Sequence, residues 1–197
     1  MIHSHTIMLT FAIILSFIFI FINKNNLKFV ETASGAKYFV QSGKYKKESA
    51  ELLEKMIHNM YALKKYLVSN IKKFPKMEKY IKQLSEKLTE ERTIIKENTK
   101  DSDLTSYSVN KGEELVFCLK SKKSNKNHDI NLLMYVAIHE LAHLGCPEIG
   151  HTALFNKIFN FFLQQATQMS PPLYKYEDYT RNPTEYCGMV LTTNILN

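Results

Sequence analysis

Hydrophobic and polar positions recur along the chain in several rhythms, and each rhythm predicts an element. Residues 6–22, TIMLTFAIILSFIFIFI, carry no charge and are dominated by Ile and Phe. As a helix this run spans about 25 Å at ~1.5 Å per residue, near the lower end of what a bilayer core requires. A cleaved leader would begin with basic residues, yet here Lys24, Lys28 and Lys37 all follow the run. Residues 1–26 therefore read as an N-terminal transmembrane helix, a single uncleaved anchor contacting lipid through residues 6–22. The positive charge behind it puts the remainder of the chain on the cytoplasmic side.

Beyond the anchor, LKFVETASGAKYFVQSG (27–43) alternates in the manner of a β-hairpin around Ser34-Gly35. Leu52, Leu53, Met56, Ile57, Met60, Leu63, Leu67 and Ile71 then recur at helical spacing. A second helix opens near Pro75 and offers Met77, Ile81, Leu84 and Leu88 to a core. RTIIKEN (92–98) reads as a strand. Two more strands flank the Asn110-Lys111-Gly112 turn, and in the second Leu115, Phe117 and Leu119 alternate with Val116, Cys118 and Lys120. KSKKSNKNH (120–128) is expected to be an exposed loop.

Asp129 is a good N-cap for the helix INLLMYVAIHELAHL, with Gly145 and Pro147 as its stop. A last helix begins near Gly150 and is apolar through Leu154, Phe155, Ile158, Phe159 and Phe162. The tyrosine-rich tail, PPLYKYEDYTRNPTEYCGM, should fold back onto the body. With no repeat and no Pro- or Gly-rich linker, residues 27–197 form one α+β domain.

Composition narrows this picture. Hydrophobic residues make up 45% of the 197, with 12 Phe and 11 Tyr, which is enough to build a core. The net charge of +7 is almost all lysine, since only Arg92 and Arg181 are arginines. Lysine is a hydrated point charge and lacks the planar fork that reads phosphates and bases, so nucleic acid is not expected as a partner. Cys118, Cys146 and Cys187 are too few and too scattered for a disulfide framework. No glycosylation acceptor is present either, because Asn182 precedes Pro183. Both features fit a reducing compartment.

The candidate chemistry lies in IHELAHLGCPEIGHTALF (138–155). Residues four apart on a helix share a face, so His139 and His143 can present two imidazoles to one metal ion. Zinc suits neutral imidazole, and a catalytic zinc keeps three protein ligands and an open position. Glu140 beside them would be the general base rather than a ligand. For the third ligand, His151 follows a Gly-Cys-Pro turn able to reverse the chain. Glu185 in the tail is the rival, and Glu148 a weaker one. Cys146 is either a fourth, closing ligand or a small buried thiol. Tyr186 is a candidate donor to the oxyanion of a tetrahedral intermediate. The strand preceding the helix is a candidate edge for an extended peptide substrate.

HELAH at 139–143, a short loop and GHTALF at 150–155 resemble the zincin metalloproteases, and among them the minimal WLM and SprT-like domains. The region from YSVNKGEELVFCLKS through EYCGM also resembles metalloprotease-like, membrane-anchored proteins of large DNA viruses of eukaryotes. The resemblance implies a small zincin-like domain whose active-site helix packs on a short mixed sheet. It further implies His139, His143 and His151 as zinc ligands, Glu140 as base, and Phe155 packed beneath the site. Two departures stand out. The step from His143 to His151 is longer than is usual in WLM domains, and Cys146 stands where metzincins have glycine.

The expectation is a membrane-anchored, zinc-dependent metallopeptidase acting on protein or peptide substrates, facing the cytoplasm or a virion interior. The alternative is a structural membrane or virion protein with a non-catalytic zinc site.

Overall fold

The computed structural model describes residues 27–192. The anchor expected within residues 1–26 lies outside the described residues. Among those described, no helix is long and apolar enough to cross a membrane.

Across the described residues the fold is α+β, with four α-helices and small sheets. Strands β1 (Leu27–Glu31) and β2 (Lys37–Gln41) form the expected hairpin, with Gly35 at φ +87° in its turn. Helix α1 (Lys46–Ser69) follows and buries Leu53, Met56, Met60, Leu63 and Leu67. Helix α2 (Glu78–Lys87) buries Ile81 and Leu84, flanked by Met77 and Leu88. Strands β3 (Ile94–Glu97), β4 (Tyr107–Val109) and β5 (Glu114–Phe117) form a mixed sheet in the order β3-β5-β4. β3 is parallel to β5, and β4 is antiparallel to it.

Helix α3 (Ile130–Gly145) runs through the middle of this framework and contacts α1, α2 and β4. It also packs along helix α4 (Ala153–Gln168). α3 is apolar almost all round, as an interior helix must be. Asp129 caps it, accepting from the backbone N–H groups of Asn131 and Leu132 at 2.9 and 3.0 Å. The helix stops at Gly145, but the reason is packing. A Cβ there would stand 3.2 Å from both the Phe162 ring and the Tyr80 carbonyl, so glycine is what lets α2 and α4 close on the end of α3. The tail folds back as expected, burying Tyr174, Tyr179 and Tyr186. It ends in a hairpin of β6 (Thr184–Tyr186) and β7 (Met189–Leu191).

Three expectations are corrected. The strand nearest α3 in sequence, β5, is the centre of its sheet and buried on both faces, so the edge beside the helix is β4. Lys120 is not part of an exposed loop; it is buried, 3.0 Å from the fully buried Glu97. And Cys118 is bonded to Cys187. The two are 69 positions apart, and only the return of the tail brings their Cα atoms to 6.0 Å. That pairing removes the support the cysteines lent to a reducing compartment.

The Glu97–Lys120 pair also ties the first hairpin to the mixed sheet, because Glu97 accepts from the Gln41 backbone N–H at 2.6 Å. Burial pushes the Glu97 carboxyl up, while Lys120 and the Gln41 N–H hold it down. Lys120→Met should therefore strand a buried acid and cost about 3 kcal/mol in denaturant unfolding, with Glu97→Gln added to it restoring part of the loss. A loss below roughly 0.5 kcal/mol would mean that the pair is not tied into the core.

Candidate metal centre

Helix α3 positions His139 and His143 one turn apart, both half-buried and facing the cleft beside β4. The third histidine is delivered by the loop 146–151. Lys111 holds that loop from across the cleft, its ammonium donating to the carbonyls of Pro147 at 2.6 Å, Cys146 at 3.3 Å and Glu148 at 3.4 Å. These three carbonyls follow the end of α3, at its C-cap and in the loop, where the negative end of the helix dipole also favours a cation. The chain then re-enters a helix at Thr152, which caps α4 by accepting from Phe155 N–H at 3.2 Å and binds the Glu148 carboxylate. These contacts set His151 opposite the first two histidines.

The three Nε2 atoms stand 3.2, 3.2 and 3.0 Å apart. Nitrogens about 2.0–2.1 Å from one tetrahedral zinc would be separated by roughly 3.3 Å, so the triangle has the size a metal requires. Among the described residues, these three histidines form the group close enough to share an ion; Glu140, Glu148, Glu185 and Cys146 are not in it. Phe155 packs beneath all three rings, stacked on His143 at 4.1 Å and 4.9 Å from each of the others.

Electrostatics favour neutral ligands. Burial, and then the neighbouring imidazoles, lower His139 to about 3. Burial, His151 and Lys111 lower His143 to about 4. Both therefore keep a lone pair free at neutral pH, as coordination demands. Glu140 is buried beside them, and its burial raises the carboxyl to about 7.

The other candidates fall elsewhere. Glu185 accepts from the Gly188 backbone N–H at 2.6 Å and from Ser121, away from the triangle. Glu148 is exposed in the loop, and the Cys146 thiol is free and buried. Tyr186 is buried and bonded to Ser106, whose hydroxyl also accepts from the Cys118 N–H at 3.1 Å.

Two cavities meet at the histidines. One, of about 440 Å³, runs along β4 past Tyr107 and Ser108 to Lys111 and Ile149. The other, of about 250 Å³, is apolar and lies between Tyr135 and Val136 of α3 and Tyr186, Met189 and Leu191 of the tail. His139, Glu140, His151 and Ser106 border both. Sequence reasoning missed Lys111 and Ser106; nothing in an Asn-Lys-Gly turn or a serine-rich strand marks either as part of a site.

No family model matches the chain, and no solved structure matches it. It is 41% identical over 159 residues to an uncharacterized protein of Acanthamoeba polyphaga mimivirus, covering 81% of this chain and 79% of that one. Shorter matches reach uncharacterized proteins of Invertebrate iridescent virus 6, at 36% over 80 residues, and Invertebrate iridescent virus 3, at 41% over 64 residues. They cover 40% and 32% of this chain, and 44% and 40% of those proteins.

Two measurements check the centre. The purified chain should hold about one zinc, lost in His139→Ala and His151→Ala but kept in Glu185→Ala; metal analysis showing loss only with Glu185 would reverse the assignment. The second is a pH effect on the metal-free chain. Unfolded, Glu140 gives up its proton near 4.5; folded, it keeps it to about 7, so stability falls as pH rises between the two. The two lowered histidines do the opposite, and their stabilisation is lost as pH falls below 6.5. Glu140→Gln should then exceed the native chain in stability by ~2 kcal/mol at pH 8 and match it near pH 5. A difference independent of pH in denaturant titrations would contradict this.

Proposed function

The chain belongs to the same family as the mimivirus protein, and for this member we propose a membrane-anchored, zinc-dependent metallopeptidase. The observation that carries the reading is the convergence of three imidazole nitrogens to within 3.0–3.2 Å beside a buried glutamate. His139, His143 and His151 would hold the ion. Zinc, when bound, supplies Lewis-acid polarisation of the scissile carbonyl and of water.

The remaining work falls to the protein. An extended peptide adds to the free edge of β4, along the larger cavity, with backbone hydrogen bonds setting its register. Glu140 takes a proton from the attacking water and passes it to the leaving amine nitrogen. Its raised carboxyl suits a group that must both accept and return a proton near neutral pH. Phe155 excludes water from beneath the imidazoles and fixes their planes. Ser106, which borders both cavities, and Tyr186, bonded to it at the wall of the smaller one, are the hydroxyls nearest in role to an oxyanion donor. Residues 6–22 attach the domain to a membrane in this reading, with the domain on the cytoplasmic or virion-interior side.

The non-catalytic alternative needs a fourth protein ligand. None of the described cysteines or carboxylates joins the three histidines, which favours a site with an open position.

Glu140→Gln tests the reading directly. Zinc content should be unchanged, while hydrolysis of an unstructured protein substrate falls by about 10²–10⁴-fold. Undiminished cleavage by that variant would remove Glu140 from the mechanism and the metallopeptidase reading with it.

A further inference from the structure

The Cys118–Cys187 disulfide takes no part in the chemistry above, yet it fastens a wall of the site. It joins the residue after β5 to the turn of the β6–β7 hairpin. That hairpin has three residues in each strand, and among the described residues no third strand extends it. A lone two-stranded hairpin is marginal in water. Its turn residues, Cys187 and Gly188, both have positive φ, 51° and 88°. A residue with a side chain keeps that conformation only where its surroundings enforce it. Here the enforcement is the disulfide, a hydrogen bond from Cys187 N–H to His128 Nε2 at 3.3 Å, and the Ser106–Tyr186 contact.

The hairpin in turn supplies Tyr186, Met189 and Leu191 as one side of the apolar cavity, against Tyr135 and Val136. His139 and Glu140 border the same cavity. A side chain entering it belongs to a residue next to the bond under attack. The other side of Cys118 borders a separate surface cavity of about 240 Å³ that Lys100, Lys120 and Lys122 also line. Lys120 is already paired with Glu97 and Asp101 also lines this cavity, so Lys100 and Lys122 are the cations left beside the disulfide. Both cysteines are buried, and a thiol reaches the bond as the marginal hairpin opens locally.

We propose that the Cys118–Cys187 disulfide is a redox latch on a side-chain subsite. Oxidised, it holds the hairpin against α3, and the subsite takes a large aliphatic or aromatic side chain of the substrate. Reduced, the hairpin leaves α3 and the apolar selection is lost. The opening step needs a dithiol reductant: one of its thiolates attacks a disulfide sulfur, and its second thiol displaces the other cysteine. The dithiol leaves as a disulfide, and Cys118 and Cys187 end as thiols, having gained two electrons and two protons between them. Cys146, buried and unpaired, stays outside the exchange. The identity of what fills the subsite rests on the metallopeptidase reading; the latch itself does not.

The test uses the full chain, oxidised and reduced, together with Cys187→Ser. Amide hydrogen exchange should quicken about tenfold or more across residues 184–191 on reduction and in Cys187→Ser, with residues 130–145 unchanged. Exchange unchanged at the hairpin overturns the latch, and so does acceleration spread over the whole domain, which would make the disulfide a global staple. Zinc-loaded protein is then titrated with 4-methylpentanohydroxamic acid and with acetohydroxamic acid, which share a metal-binding head and differ in the apolar tail. Oxidised protein should favour the longer compound about tenfold or more, and reduction should bring the ratio near one. A ratio unmoved by reduction overturns the subsite. Failure of either form to take zinc counts against the metallopeptidase reading alone, since hydrogen exchange still decides the latch.

Discussion

Three imidazoles pressed to within 3.0–3.2 Å at their Nε2 atoms, with a carboxyl buried beside them, are an arrangement that folding alone has no reason to build. Burial lowers His139 and His143, so both stay neutral at neutral pH, and raises Glu140 to about 7, where it can both hold and release a proton. With all three Nε2 atoms unprotonated, their lone pairs converge on one point that a cation would fill. Much of the surrounding structure serves this one constraint. Asp129 fixes where α3 begins, Gly145 lets two helices close on its end, Lys111 gathers the reversing loop, and Phe155 floors the triangle.

Helix α3 explains how a small domain supports such a site. It is covered by α1, α2, α4 and β4, so the face carrying the histidines is nearly all that it leaves to the cleft. Rigid burial of this kind holds ligand side chains with little freedom to lose on binding, which is what preorganisation requires. The tail adds a second layer. Its buried tyrosines pack against α3, with Tyr135 contacting Tyr174 and Tyr179 at ring separations of 5.9 and 4.9 Å. Its last hairpin then closes the apolar side of the cleft.

What could be seen from the sequence was what is local. The period of Leu53, Met56, Met60 and Leu63 marked α1, and the Ser34-Gly35 and Asn110-Lys111-Gly112 turns marked two strand pairs. Asp129 and the i, i+4 histidines marked the helix and half of the centre. His151 was legible only as a choice between rivals, because its approach depends on Lys111, a residue from another element. The same holds for the disulfide, which no spacing announces, and for the edge strand, since β3 reaches across to pair with β5 and leaves β4 free. Lys120 misled for a similar reason: its partner Glu97 lies in another strand, so a lysine-rich stretch read as solvent while its first member was buried.

Whether His139, His143 and His151 hold a zinc ion with one position open is decided by X-ray absorption at the zinc edge of the loaded chain. The expected result is three nitrogens and one exchangeable oxygen at about 2.0–2.1 Å, with no sulfur. A sulfur at about 2.3 Å, or a fourth protein ligand in place of the oxygen, would contradict the account and make the centre a structural clamp.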